Sequence, residues 1–357
     1  MEARNDTSSL FIRAASEDTK LALLNFSVAE IASLTVYCLV MVFFGLAGNG
    51  TVLYSSLRYN AIRLDKVSLM FVQNLATADI LYTVIAILPQ LITYIAGEWV
   101  LGKVYCFISA QLGFIPASTN TFTVLLITTY RLWLVTHPFS DVPKKLTVRV
   151  VVAITWVLAT AGTVISLAYR SSSIFSQTNG KCTSGVYVNK EAGGVLKIAV
   201  GVIVLIPMFV ITVANITLSV IAVRSSRRQA SSNRNYKALV MVCALSGLFI
   251  LSWVPYIIFT FLKSKYGKVS RAVDLMGFHC IYLNSFGNPI LYTLTNKRFG
   301  LYVRKVLTTI FCHFCAKESP DKDDGQQRMD TNSSNVKAAS SIENGVEQPT
   351  IKPDIED

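Results

Sequence analysis

Apolar residues in this chain gather in long, nearly unbroken runs. The runs lie roughly at 31–57, 67–95, 104–136, 147–169, 194–223, 236–262 and 272–294, with short polar stretches between them. A helix rises about 1.5 Å per residue and a hydrocarbon core is about 30 Å thick, so about 20 apolar residues cross it. Each run is long enough. The pattern predicts an all-α membrane protein, a bundle of seven transmembrane helices whose odd number puts the two termini on opposite sides. After the seventh run, Phe299, Val303, Val306, Leu307 and Ile310 fall on one helical face and Lys297, Arg298, Arg304 and Lys305 fall elsewhere. That stretch is too charged to span and reads as a short amphipathic eighth helix lying on the membrane surface. The expected divisions are an extracellular N-terminal tail over 1–30, the seven-transmembrane domain over 31–294, the amphipathic juxtamembrane helix over 295–315 and a disordered cytoplasmic tail over 316–357.

Charge orients the bundle. The 357 residues carry a formal net charge of +12, yet only 15% are charged and 52% are hydrophobic. The segments after the first, third, fifth and seventh runs, RYNAIRLDK, HPFSDVPKKLTVR, RSSRRQASSNRNYK and NKRFGLYVRK, are basic. Such segments face the cytoplasm, so the basic charge belongs to loops beside a lipid bilayer and not to a nucleic-acid surface. The N-terminus is then extracellular, in a multi-pass protein of the plasma membrane. Its first 30 residues lack the basic-then-apolar start of a cleaved signal. Sequons at Asn5 and Asn25 fit glycosylation of an outer tail. Cys312 and Cys315 follow the amphipathic helix, where palmitoylation is expected.

The third run carries the most information. Between Cys106 and Arg131 lies no charged residue, and a helix over that interval is about 38 Å long. A thiol at one membrane face and a fixed charge at the other suit a device that reports across the bilayer. Of the seven cysteines, only Cys106 and Cys182 fall in extracellular segments on this topology. Two cysteines in an oxidising compartment predict one disulfide, tying the second outer loop to the top of the third span. Asp79 is the only acid deep within a span. Intramembrane carboxylates are costly and point to function, and Asn49, Asn120, Asn284, Ser285 and Asn288 offer polar partners from other spans. Two readings stand: hydrogen-bonded helix glue, or a sodium- or proton-sensitive switch. Trp253 lies two residues before Pro255, and Pro207 and Pro289 sit within spans five and seven. Proline frees a carbonyl and kinks a spanning helix. The three histidines, His137, His279 and His313, are scattered, so no metal-ligand cluster and no Ser-His-Asp set is visible. Neither inverted repeats of broken helices nor charged pore rings point to a transporter or channel. The chain is not expected to be an enzyme.

Taken in order, these residues resemble the rhodopsin-like (class A) G-protein-coupled receptors. The resemblance rests on GN at 48–49, LATAD at 75–79, Trp99 before Cys106, Arg131, Trp156, Pro207, FILSWVP from Phe249 through Trp253 to Pro255, and NPILY with Asn288, Pro289 and Tyr292. It implies a receptor that binds an extracellular ligand and activates heterotrimeric G proteins, with arrestin as a further partner. It also implies an activation switch at Tyr130, Arg131, Phe249, Trp253, Pro255, Asn288, Pro289 and Tyr292. The ion-binding polar network would be Asn49, Asp79, Asn120, Asn284 and Ser285, with a sodium ion near Asp79 as the one candidate cofactor and no metal site beyond it. The ligand pocket would be walled by Gly113, Phe114, Ala117, Tyr256, Thr260 and Tyr282.

The departures carry expectations too. Tyr282 stands where opsins carry the retinal lysine, and Gly113 where amine receptors carry an aspartate. Asn215 replaces a common tyrosine. Tyr130 replaces the acid that usually precedes the arginine, a feature that, with Pro89 in span two, resembles melatonin-type receptors. The altered motif makes a non-signalling decoy or scaffold the main rival reading. It also leaves Arg131 with no obvious carboxylate, since the stretch 233–240 has none either. Arg131 is therefore expected to bond carbonyls, hydroxyls or water, with measurable ligand-free signalling as the result; restraint supplied instead by Asp141 or by Tyr130 is the counter-reading. The outer segments hold Arg170, Lys181, Lys190, Lys197, Lys263, Lys265, Lys268 and Arg271 against Glu98, Glu191 and Asp274. That excess favours a ligand with an anionic group.

Overall fold

In a computed structural model of the protein, the described residues are 26–58, 64–168, 173–176, 181–184, 201–228, 233–266 and 269–317. Contacts divide the chain into two units, Met1–Thr308 and Thr309–Asp357. Asn5 and Asn25 lie outside the described residues, as do the side chains of Thr260, Cys312 and Cys315.

Seven long helices form a bundle. Helix α1 runs through Val28–Phe43, a π-helical turn Phe44–Gly48, and Asn49–Arg58. Helix α2 comprises Lys66–Tyr82, the π turn Thr83–Ile87 and Leu88–Ala96. Helix α3 comprises Gly102–Phe107, the π turn Ile108–Leu112 and Phe114–Thr136. Helix α4 is Lys145–Ala168. Within the described residues, helix α5 comprises the π turn Gly201–Leu205 and Ile206–Arg228. Helix α6 is Asn233–Tyr266 and α7 is Arg271–Thr295, each continuing through its proline, Pro255 or Pro289. Six of the seven pass a length-and-apolarity test for membrane spans. Helix α7 is the exception, for a reason visible in its sequence: Asp274, His279, Asn284, Ser285 and Asn288 are all buried polar residues facing the bundle.

Local chemistry sets the helix starts. Ser27 and Glu30 form a capping box, with the Glu30 N–H donating to Ser27 Oγ at 3.2 Å and the Ser27 N–H to Glu30 Oε2 at 2.8 Å. The first helix therefore begins at Val28, ahead of the apolar run. Asp65 caps α2, accepting the Ser68 N–H at 2.9 Å. One element has no counterpart in the apolar pattern: a two-stranded antiparallel hairpin, β1 (Ser173–Ser176) and β2 (Lys181–Ser184), pairing Phe175 with Cys182.

Helix α8 (Lys297–Lys317) follows α7. Phe299 is fully buried against Val52, Val72, Met241, Leu245 and Tyr292, with Tyr302 and Val303 packed beside it, while Lys297, Arg298, Arg304 and Lys305 are exposed. Phe299 and Val303 of the expected apolar face thus pack on the bundle, and the side chains of Leu307 and Ile310 lie outside the described residues.

Candidate functional site

The expected disulfide is present: Cys106 of α3 is bonded to Cys182 of β2, with a Cα–Cα distance of 5.2 Å. It marks one end of the bundle; Arg131 marks the other.

Midway between these ends, side chains from α3 and α7 converge on Asp79 of α2, which is fully buried. Asn120 Nδ2 of α3 donates to Asp79 Oδ1 at 2.7 Å, Ser285 Oγ of α7 to the same oxygen at 2.8 Å, and Asn288 Nδ2 of α7 to Oδ2 at 2.7 Å. Asn284 Nδ2 donates onward to Asn120 Oδ1 at 2.7 Å. Asn49 joins indirectly. Pro289 has no N–H, so the Ser285 carbonyl four residues earlier loses its helical partner. Asn49 Nδ2 of α1 donates to that carbonyl at 2.9 Å. The approach depends on Gly48: a Cβ there would lie 2.9 Å from Pro289, which something would have to move to accommodate. The GN pair at 48–49 and the NP pair at 288–289 are thus two halves of one joint between α1 and α7. All five network residues named from the sequence come together, with Asn288 as a sixth member.

Directly beside this network is a small cavity lined by Tyr82, Pro116, Ala117, Asn120, Trp253, Ile281, Asn284 and Ser285. Trp253 packs on Phe249 at 6.0 Å between ring centroids and, edge-on, against Tyr256 at 5.9 Å. The Trp253 indole N–H and the Tyr292 hydroxyl, both buried, have no hydrogen-bond partner among the described residues.

Among the described residues, which leave out the Thr260 side chain, the other five expected pocket residues do not line one cavity together. Ala117 lines the cavity and Tyr256 adjoins it through Trp253. A Cβ on Gly113 would point at Ile85 and Ala86 of α2, so Gly113 belongs to the α2–α3 contact. Phe114 lies beside Gly162 of α4. Tyr282 is buried between α1, α2 and α7 with Cys38, Met41, Ile87 and Tyr94, and meets Tyr82 and His279 edge-on. Spacing along a helix identifies a face, and the π turns in α2 and α3 rotate the faces beyond them.

Two further polar centres escaped the sequence reading. Asn74 of α2 bridges two helices: its Nδ2 donates to Thr123 Oγ1 of α3 at 2.8 Å and its Oδ1 accepts from Trp156 Nε1 of α4 at 2.9 Å. His279 of α7 is buried among three tyrosines. Tyr94 OH lies 3.1 Å from Nε2, Leu275 O lies 2.8 Å from Nδ1, and Tyr37 OH donates to the His279 carbonyl at 2.6 Å. With Nδ1 donating to the carbonyl, Nε2 accepts from Tyr94.

At the opposite end, Arg131 contradicts the expectation of purely neutral partners. Its Nη2 lies 3.0 Å from Asp65 Oδ2, and Tyr130 OH donates to Asp65 Oδ1 at 3.2 Å. Asp141 is exposed and is not the partner. The carboxylate comes from the start of α2, a position no inspection of residues next to Arg131 would reach. Burial pushes the Asp65 carboxyl up, but the Ser68 N–H, the Arg131 guanidinium and the Ser68 and Tyr130 hydroxyls outweigh it and hold it below the usual carboxylate range.

Comparison with known proteins agrees with this geometry. Residues 48–292 match the family described as 7 transmembrane receptor (rhodopsin family). A curated relative, the tachykinin-like peptides receptor 86C of Drosophila melanogaster, is 25% identical over 289 residues, covering 75% of this chain and 57% of its own length. The chain therefore spans little more than half of that relative. Squid rhodopsin matches in fold, with a TM-score of 0.68 at 16% identity over 80% of this chain and 87% of that one. The match covers most of the chain and contains both Asp79 and Arg131, so the chain belongs to the rhodopsin family of seven-transmembrane receptors.

Proposed function

We propose that this multi-pass membrane protein is a plasma-membrane receptor that binds an extracellular ligand at its disulfide end and activates heterotrimeric G proteins at its arginine end. The observation that carries this reading is the family match over residues 48–292, a stretch that holds the cavity beside Trp253 and Arg131 alike. The N-terminus is then extracellular, the two sequons are glycosylated, and Cys312 and Cys315 are palmitoylated. Arrestin is a further cytoplasmic partner. The chain performs no bond chemistry; nucleotide exchange belongs to the G protein.

A ligand that presses on Tyr256 and Trp253 displaces side chains lining the cavity next to Asn120, Asn284 and Ser285. These three belong to the Asp79 network, so occupancy at one end is felt at the joint between α1 and α7. A ligand shifts the equilibrium only by binding one arrangement better than the other. Asp79 accepts three hydrogen bonds of the roughly four a carboxylate can take, and a sodium ion is the candidate for stabilising the charge further. The similarity to a receptor for tachykinin-like peptides makes peptides the first ligand class to screen, and the basic outer segments favour those with an acidic group. The decoy or scaffold reading rested on the altered motif before Arg131, and a carboxylate from α2, Asp65, meets the arginine in place of the acid that motif lacks.

The test is a nucleotide-exchange assay on purified heterotrimers of each Gα class, using membranes from cells that express the full chain. The assay is run without ligand and against acidic, neutral and basic peptide sets. Exchange above control membranes, lost in Arg131→Ala at equal surface expression, is expected. No exchange with any heterotrimer or ligand, at normal surface expression, would overturn the reading.

A further inference from the structure

In this chain the acid that usually stands immediately before the cytoplasmic arginine of the family is a tyrosine, Tyr130. An acid does reach Arg131, but from another element. Asp65 is the N-cap of α2, with extended backbone at φ −67° and ψ 160°. One carboxylate gathers four donors there: the Ser68 N–H at 2.9 Å, Ser68 Oγ at 2.8 Å, Tyr130 OH at 3.2 Å and Arg131 Nη2 at 3.0 Å. The two Ser68 bonds hold the carboxylate on α2. The other two tie it to the end of α3.

The surroundings are built for this contact. The Tyr130 ring is gripped edge-on by Phe71 of α2 at 6.0 Å and stacked on Trp133 at 6.0 Å, which aims its hydroxyl at Asp65. The Arg131 side chain is 13% exposed and that of Asp65 is 31% exposed, so the pair is shielded but not sealed. The recorded ion pair is a single contact, and Arg131 Nε, also buried, has no hydrogen-bond partner among the described residues. A buried donor without a partner is unfavourable. Asp65 therefore holds the guanidinium in a position that leaves it incompletely satisfied, a contact that can bias the resting arrangement and still be released.

We propose that Asp65 is the positioning residue that keeps this receptor silent: the acid that restrains Arg131 comes from the head of α2 and not from the residue before it, so that release of Arg131 for G-protein coupling requires its separation from the head of α2. The proposal rests on the reading of Arg131 as the coupling residue. The bland alternative is that Asp65 is a helix cap that Arg131 happens to touch.

Asp65→Asn separates the two. Asparagine caps a helix about as well as aspartate and still accepts from Tyr130, but it has no charge for Arg131. The full chain is assayed in membranes for ligand-free nucleotide exchange on heterotrimers of each Gα class. It is assayed in parallel in cells for conformation, by energy transfer between a tag inserted at 229–232 and a donor on the C-terminus. Charge-assisted bonds exceed neutral ones by about 1 kcal/mol, so ligand-free exchange should rise roughly fivefold to tenfold, with a matching energy-transfer shift. Adding Tyr130→Asp to Asp65→Asn should return both signals to the parent value, a rescue that no capping role supplies. Parent-level exchange and transfer in Asp65→Asn at normal surface expression would overturn the proposal, as would failure of the double variant to restore either signal. A transfer shift without exchange on any heterotrimer would uphold the latch and sink the coupling reading. If Asp65→Asn fails to reach the surface, Tyr130→Phe carries the test, since it leaves the cap intact. It should raise exchange about twofold to threefold, and no rise would overturn the latch.

Discussion

Two carboxylates, Asp79 and Asp65, are stabilised in opposite ways, and the contrast follows depth in the bundle. Asp79 is fully buried and is met only by neutral donors, two asparagine amides and a serine hydroxyl, from α3 and α7. Asp65 lies at the end of α2, about one-third exposed, and is met by a guanidinium. A second full charge at mid-bundle would carry its own desolvation cost, which several dipoles avoid. Near the membrane surface that cost is smaller, and a guanidinium can join the Ser68 and Tyr130 donors around Asp65. Asp79 is thus solvated by the protein, whereas Asp65 is held by a partner that can leave.

Four outcomes would break or sharpen this comparison. The largest effect is expected from Asn288→Ala, which strips the donor from Asp79 Oδ2. A buried charge short of a donor costs about 2–3 kcal/mol, so the detergent-solubilised receptor should unfold at clearly lower temperature than the parent. Equal thermal stability of Asn288→Ala and parent would show that Asp79 does not depend on this donor. Next is the cation. If Asp79 binds sodium in one arrangement only, replacing sodium chloride by choline chloride should change ligand-free exchange about fivefold or more, the lower end of common coupling energies. Asp79→Asn should abolish that difference, and a sodium effect surviving in Asp79→Asn would place the ion elsewhere.

A smaller effect is expected from ionic strength alone. The Debye length falls to about 3 Å at 1 M salt, so choline chloride at that concentration should loosen the partly exposed Asp65–Arg131 pair. Ligand-free exchange should rise about twofold in the parent and not at all in Asp65→Asn. A rise of the same size in both would assign the salt effect to something other than this pair. The smallest effect is expected from pH. Asp65 is held below its ordinary range, with burial opposing and the Ser68 N–H, Arg131 and the two hydroxyls favouring the charged form. A depressed folded value means that its stabilisation is complete above the unfolded value of about 3.9 and is lost only as pH falls through the lower folded value. From about pH 8 down to about pH 5.5 the latch should stay closed. An acid-induced rise in exchange over that window, absent from Asp65→Asn, would contradict the assignment.

Much of the architecture was legible because lipid imposes a simple rule: a spanning helix must be apolar over its whole length. The seven runs, the amphipathic face of α8 and the pairing of Cys106 with Cys182 follow from hydropathy and sidedness. The hairpin Ser173–Ser176 with Lys181–Ser184 did not, since short polar strands carry no such signature. The Asp79 network was legible for a related reason. Polar residues in a spanning helix are few, and each must find another, so naming them nearly names the cluster.

The ligand pocket and the partner of Arg131 were not legible, and the reasons differ. Gly113 and Phe114 follow the π turn Ile108–Leu112 of α3, and Tyr282 is an ordinary aromatic residue whose burial depends on how α1, α2 and α7 pack. One inserted residue rotates everything past it. Asp65 sits in a polar stretch where acids are common, and its capping spacing to Ser68 was visible, but a cap explains an acid completely. Only the folded chain shows that the start of α2 lies beside the end of α3. The sequence by itself determined which segments enter the membrane and which polar groups must pair there, because hydrocarbon leaves those groups no water to fall back on. Which acid lies against Arg131, and which side chains face one cavity, came from the packing of the folded chain, because near water and on an apolar helix face many partners are possible.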